Sequence, residues 1–338
     1  MDNASFLSRV WNFIRKPAVS LALRVVVSGL LLIYLIKLSA FKEIANAFSR
    51  IEPIYLLGIF LLYFFSVSLQ VVRWQYLLRV WDVEQRFMVL FRSIMTGLFF
   101  NNFLPGSLGG DAFRLYSGRR DTGKVEAVAA TIFYERILGY ASLVTLGLIV
   151  LSIRFDLASD WLFWLLLGGV FFALIGVMAV STLPAFGKWA ENLVGHFRFA
   201  ERLRLKDWVH SFRFKVNHPG MLAGVFLLSF IIQLADILIF RLVAASIQLP
   251  VKLTDLLLFV PLLYLAILLP LSFNGIGIRE SIFVIFASTW GISSADAVAF
   301  SLTVFTLNLA GSLVGGIFYW SDRPTRKDDD MNKSGISG

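Results

Sequence analysis

Asn101-Asn102-Phe103-Leu104-Pro105-Gly106-Ser107-Leu108-Gly109-Gly110-Asp111-Ala112-Phe113-Arg114 sets a helix-breaking, charged segment inside apolar sequence. Backbone that leaves the helix at membrane depth loses its internal hydrogen bonds, at a cost of roughly several kcal/mol per unpaired polar group. Such a break is tolerated where protein covers it or where it lines a wet cavity. The stretch therefore predicts a polar cavity within a membrane.

The rest of the chain supplies the membrane part. Of 338 residues, 58% are hydrophobic and 16% charged, and the mean hydropathy of +0.76 is far above that of a soluble domain. Apolar runs long enough to cross a hydrocarbon core of about 30 Å occupy 21–38, 54–78, 125–151, 161–182, 221–247 and 296–320. Two further stretches, 86–113 and 255–291, are apolar but interrupted by Pro, Gly and Asn. The expected fold is an all-α polytopic membrane protein: about six full transmembrane helices plus two broken re-entrant hairpins, in one transmembrane domain over 1–320.

Orientation follows from Lys and Arg in the loops, which cytoplasmic segments concentrate. Arg9, Arg15 and Lys16 precede the first span, Arg114, Arg119, Arg120 and Lys124 follow the first break, and the 184–218 loop is strongly basic. The opposite loops hold only Lys42, Arg50, Arg154 and Lys252. Both termini are expected in the cytoplasm, with the protein in the inner (cytoplasmic) membrane. The net charge of +9 then reflects this asymmetry and calls for no nucleic-acid partner. The 184–218 loop mixes its basic residues with Trp189, Phe197, Phe199, Trp208, Phe212 and Phe214, a composition suited to an anionic leaflet. The tail 321–338, with Asp328-Asp329-Asp330, reads as disordered.

The two breaks resemble each other. Leu104-Pro105-Gly106-Ser107 matches Leu269-Pro270-Leu271-Ser272, with glycine at Gly110 and Gly275 and arginine at Arg114 and Arg279. With both termini inside, the first hairpin opens from the cytoplasm and the second from the other face. That is the arrangement of an inverted repeat, in which half-helix tips meet near the midplane at a binding site.

Charges inside apolar sequence mark where that site lies. Asp111, Arg114, Glu135, Arg136, Asp236, Arg279 and Glu280 would each cost about 2.5 kcal/mol or more facing lipid at midplane. Arg73 and Arg241 lie near span ends, where snorkelling is an equally good account. Glu135 shares a helical face with Thr131, Gly139 and Ser142, pointing to an interior. The buried cations are arginines, which suit bidentate recognition of phosphate or carboxylate. Candidate substrate-binding residues are Asn102, Ser107, Gly109, Gly110, Asp111, Arg114, Glu135, Arg136, Asn274, Arg279, Glu280, Arg73 and Asp236. Either Glu135 or Asp236 can be a proton carrier. On the last span, Asn308, Gly311, Ser312 and Gly315 form a face for close helix packing.

Other chemistries lack their signatures. The chain has no cysteine, so thiol catalysis and thiolate metal sites are excluded. Phosphate-binding loop, zinc-protease and nucleophile-elbow motifs are missing, and the three histidines, His196, His210 and His218, fall in the basic loop. No cofactor, metal or enzymatic activity is expected.

Arg73-Trp74, Asn102 with Leu104 to Asp111 and Arg114, Glu135-Arg136 with Gly139, and Asn274-Gly275-Ile276-Gly277 with Arg279-Glu280 together resemble a prokaryotic membrane family. It is the family that includes the flippase-like transmembrane domain of lysylphosphatidylglycerol synthases. The resemblance covers nearly the whole chain. It implies a domain that moves or binds lipids, aminoacylated phospholipids or glycolipid intermediates. Some members carry a soluble aminoacyl-transferase domain after the membrane part; with none in this sequence, aminoacyl-lipid synthesis is not expected.

The expected function is a lipid translocator or lipid-binding transporter that recognises an anionic phospholipid or glycolipid head group in a midplane cavity. Its partners are membrane lipids, with a homo-oligomer or an envelope-assembly partner as further options. Two alternatives stand beside it: an intramembrane transferase acting on a polyprenyl-phosphate lipid with the same cavity and arginines, and a non-catalytic membrane subunit of an envelope lipid or polysaccharide assembly complex, which needs no cavity.

Overall fold

A computed structural model describes residues 51–102, 108–153, 161–182, 219–268 and 277–321. Within them the chain is all helical: α1 (Pro53–Leu78), α2 (Phe87–Asn101), α3 (Leu108–Thr122), α4 (Val125–Ile153), α5 (Trp161–Thr182), α6 (Pro219–Ser246), α7 (Leu253–Leu268), α8 (Ile278–Trp290) and α9 (Ser294–Ser321). The first apolar run, the basic 184–218 loop and the tail after Ser321 lie outside the described residues.

Four helices, α1, α4, α6 and α9, are long and apolar enough to cross a membrane. At 1.5 Å per residue each measures about 40 Å, more than the hydrocarbon core requires. α1 starts with Pro53 in its first turn after an extended Glu52, where the missing proline N–H costs nothing. It closes with a tight turn at Arg79–Trp81 and a left-handed Asp82. Its exposed face carries Ile54, Leu57, Leu61 and Phe65, and α5 exposes Leu165, Phe172 and Ile175. These apolar faces suit acyl chains.

The two interrupted stretches each become two short helices. α2 and α3 have 15 residues each, and α7 and α8 have 16 and 13, so none reaches the roughly 20 residues of a full span. α2 and α3 run antiparallel, with the Ser93 and Ser117 hydroxyls 2.6 Å apart and the Gly110 amide donating to Asn101 Oδ1 at 2.6 Å. Glycine permits the approach: a Cβ on Gly110 would sit 2.7 Å from the Gly97 carbonyl oxygen. The returning arm does not end near residue 113. It continues as helix to Thr122, so the cluster read as a cytoplasmic loop begins on a helix, where Arg114 faces inward.

α8 starts at Gly277, whose φ of +88° belongs to glycine, and Glu280 accepts the Gly277 N–H at 2.6 Å. The second hairpin is held by rings, with Phe259 of α7 lying 4.6 Å from Phe283 and 4.8 Å from Trp290 of α8. Phe300 of α9 and Phe240 of α6 complete that cluster.

Helix packing crosses between the halves. α1 packs on α6, α9 on α2, and α4 on α7. Between helices in lipid, association rests on close van der Waals contact rather than on burial from water, so small residues sit at crossings. Gly315 of α9 lies against the Met95 backbone and Gly311 against Tyr63, while Thr96 donates to the Gly315 carbonyl at 3.2 Å. The small face expected on the last span thus packs as expected.

Candidate functional site

A cavity of about 360 Å³ opens where α1, α2, α3, α4, α6 and α7 converge. Residues beside both chain breaks reach it: Asn101, Gly110 and Asp111 from the first, Tyr264 and Ile267 from the second. Among the described residues its charged lining consists of Arg73, Arg114 and Arg136 with Asp111, Glu135 and Asp236.

Glu135 is the hub. Its carboxylate accepts from Arg73 Nε at 3.2 Å and Nη2 at 3.0 Å on one oxygen, and from Arg114 on the other. Three chain segments, α1, α3 and α4, meet at this one group. Glu135 is 3% exposed and Arg73 10%, a depth at which an uncompensated charge is strongly unfavourable and a complementary partner is required. Arg73 also donates to Ser229 of α6 at 3.0 Å. Its snorkelling alternative is overturned: the side chain points into the bundle, because Glu135 and Ser229 satisfy the guanidinium there.

Arg114 stacks over Trp74, with its guanidinium carbon 4.0 Å from the ring centroid. Trp74 is itself fixed by donating to Thr131 at 3.0 Å. Among the described residues the buried Nε of Arg114 has no hydrogen-bond partner. Asp111 accepts from Arg136 and lies 3.8 Å from Arg114, so it bridges both arginines rather than serving Arg114 alone. Asp236 accepts from Ser66 of α1 at 2.9 Å.

Other predicted residues fall elsewhere. Arg279 and Glu280 pair with each other at 2.7 Å, and both bond Ser301 of α9 at 3.0 Å. Arg279 stacks on Phe305 at 4.7 Å, and neither it nor Glu280 lines the cavity. They form a second ionic node beside it, with Tyr264 within electrostatic reach of Arg279. Asn102 donates to the Leu98 carbonyl and to Ser312 of α9 at 2.8 Å, tying the tip of α2 to α9, while its neighbour Asn101 lines the cavity. Gly109 is buried but outside the lining. Ser107 and Asn274 lie outside the described residues.

Sequence reasoning missed Gln70, Tyr140, Gln233 and Tyr264, all in the lining. A signal existed for two of them: Gln70 and Gln233 each stand three residues before a cavity charge, Arg73 and Asp236, on the same helical face. The chamber's described charges are three arginines and three carboxylates. Among the described residues no cluster of His, Asp and Glu has metal-binding geometry.

The family described as the lysylphosphatidylglycerol synthase TM region matches residues 21–316. The chain belongs to this family. That match runs through every helix of the cavity. A UPF0104 membrane protein of Methanothermobacter thermautotrophicus is 24% identical over 277 residues, covering 76% of this chain and 82% of the relative. Membership of the lysylphosphatidylglycerol synthase TM region family agrees with the four long apolar helices in making this a multi-pass membrane protein.

Proposed function

We propose that the protein is a non-enzymatic, flippase-like lipid translocator of the cytoplasmic membrane that takes a phosphate-bearing head group into the Arg73–Arg114–Glu135 cavity. The carrying observation is the Arg114–Glu135–Arg73 node. A carboxylate held between two arginines from different helices stands where a phosphate oxygen would bind, and an incoming phosphate competes for the same donors. Displacing Glu135 loosens the tie between α3 and α4, which links head-group binding to movement of the first hairpin. The volume suits a head group rather than a whole lipid, so the acyl chains remain outside, against the apolar helix faces.

The packing pattern supports an inverted repeat. Exchanging α1 with α6, α2 with α7, α3 with α8 and α4 with α9 turns several contact pairs of these helices into one another: α9 on α2 becomes α4 on α7, and α3 on α4 becomes α8 on α9. The same sequence step carries Pro105 to Pro270 and Arg114 to Arg279. Each of these arginines is paired with a glutamate and stacked on a ring, Trp74 or Phe305. In this reading the two short-helix pairs are re-entrant hairpins from opposite faces, both termini are cytoplasmic, and the halves exchange roles as access alternates.

One observation favours the non-transporting subunit instead. Arg114 and Glu135 satisfy each other, as a purely structural pair would. The test is transport in proteoliposomes with labelled phosphatidylglycerol. Wild type is expected to move it faster than empty vesicles and faster than an Arg114→Ala, Glu135→Gln double variant; equal rates for all three would reject translocation.

A further inference from the structure

The charge balance of the cavity extends this reading, on which the following inference rests. Three arginines and three carboxylates line the chamber. Two of those carboxylates are arginine-bound: Glu135 by Arg73 and Arg114, and Asp111 by Arg136. Asp236 is different. Among the described residues its hydrogen-bond partner is the Ser66 hydroxyl at 2.9 Å, and it forms no ion pair. Beside it, one turn earlier on α6, Gln233 Oε1 is a buried acceptor with no donor among the described residues.

The groups around Asp236 are specific. From α1 come Tyr63 and Arg73, both electrostatically coupled to it. From α4, Glu135, Arg136 and Tyr140 face the shared cavity, and from α7, Tyr264 does. α9 meets α6 through Phe300 on Phe240. No cation in this set is bound directly to Asp236.

With every one of these described groups ionised, the charges lining the chamber sum to zero. A phosphodiester head group adds one negative charge to a space of low dielectric, where an unbalanced charge is strongly unfavourable. One proton on Asp236, the lining carboxylate that no arginine holds among the described residues, restores neutrality.

We propose that a proton enters the cavity with each anionic head group and is held on the Asp236 carboxylate, making the protein a proton-coupled transporter. The step makes an O–H bond on Asp236 from a solvent proton and breaks none in the lipid. Loaded and empty chambers are then both neutral.

The test is calorimetry of short-chain phosphatidylglycerol binding to the full chain in detergent, at one pH, in two buffers of different ionisation enthalpy. The apparent enthalpies are expected to differ by the amount that corresponds to about one proton taken up per lipid bound. Asp236→Asn, which imitates the protonated side chain, is expected to lose that difference. Saturable binding with the same enthalpy in both buffers would overturn the proton coupling and leave the head-group site intact. Uptake that persists in Asp236→Asn would overturn the assignment to this residue. A wild type that binds no phosphatidylglycerol would overturn both this inference and the function on which it rests. Should the variant fail to fold, the wild-type pH profile decides: affinity is expected to fall by up to about tenfold per pH unit on the alkaline side, and a flat profile rejects the proposal.

Discussion

Arg114 on the returning arm of the first hairpin and Glu135 in the middle of α4 share an ion pair inside the bundle, and Arg73 of α1 holds the other oxygen of the same carboxylate at 3.0 Å. One acidic group thereby fixes the positions of three helices. It also supplies two buried arginines with a shared counter-charge.

Glu135→Gln removes that charge and leaves both buried guanidinium groups without their shared counter-charge. The expected loss is about 3 kcal/mol of stability, the scale for breaking a buried pair from one side. It should appear as a lower unfolding temperature in detergent. Short-chain phosphatidylglycerol is expected to raise that temperature more in the variant than in wild type, because a phosphate can take the vacated place.

Asp111→Asn should do less. Its partner Arg136 is 29% exposed and Asp111 itself 21%, so water screens the pair, and a loss of about 1 kcal/mol is expected. The order of the two unfolding temperatures, Glu135→Gln below Asp111→Asn, is the check.

Glycine substitutions separate packed crossings from the lipid face. A Cβ on Gly315 would collide with the Met95 carbonyl oxygen, whereas one on Gly176 of α5 meets nothing within 4 Å among the described residues. Gly315→Ala must push α9 off α2 and is expected to cost at least about 1–3 kcal/mol, the range of overpacked interiors. Gly176→Ala is expected to be neutral or slightly stabilising, since alanine is the better helix former by about 1 kcal/mol. Thermal unfolding of the two purified variants, monitored by size-exclusion, tests the contrast.

The hairpin itself can be trapped. With no cysteine in the chain, Ser93→Cys with Ser117→Cys gives a single thiol pair at positions whose hydroxyls are 2.6 Å apart. Mild oxidation is expected to form the disulfide quantitatively, read as a mobility shift that reductant reverses. If the hairpin arms move during transport, the oxidised protein translocates lipid more slowly and recovers on reduction.

Much of the helical layout was readable in advance because its causes are local. Hydrophobic length locates the helices over 54–78, 125–151, 161–182, 221–247 and 296–320, and proline with glycine marks where 86–113 and 255–291 must break. Arg114 and Glu135 were legible as inward-facing because lipid leaves a midspan charge no other stable direction. Arg73 was not: nearness to a span end permits snorkelling, and only the position of Glu135, 62 residues away, decides against it. Arg279 shows the reverse case. Its sequence match to Arg114 is real, yet Glu280 beside it and Ser301 on α9 absorb its charge away from the cavity.

The sequence by itself determined that this chain lives in a membrane, that two of its apolar stretches break, and which charges must turn from lipid, since each follows from hydropathy and backbone chemistry within a few turns. Tertiary structure alone decided the pairing: Glu135 with Arg73 and Arg114, Asp111 with Arg136, Arg279 with Glu280, and Asp236 with a hydroxyl instead of a cation. The physical reason is that a side chain's depth along a helix is set by its own segment. Its partner is set by the rotation and crossing of other helices, which close packing across the whole bundle fixes together.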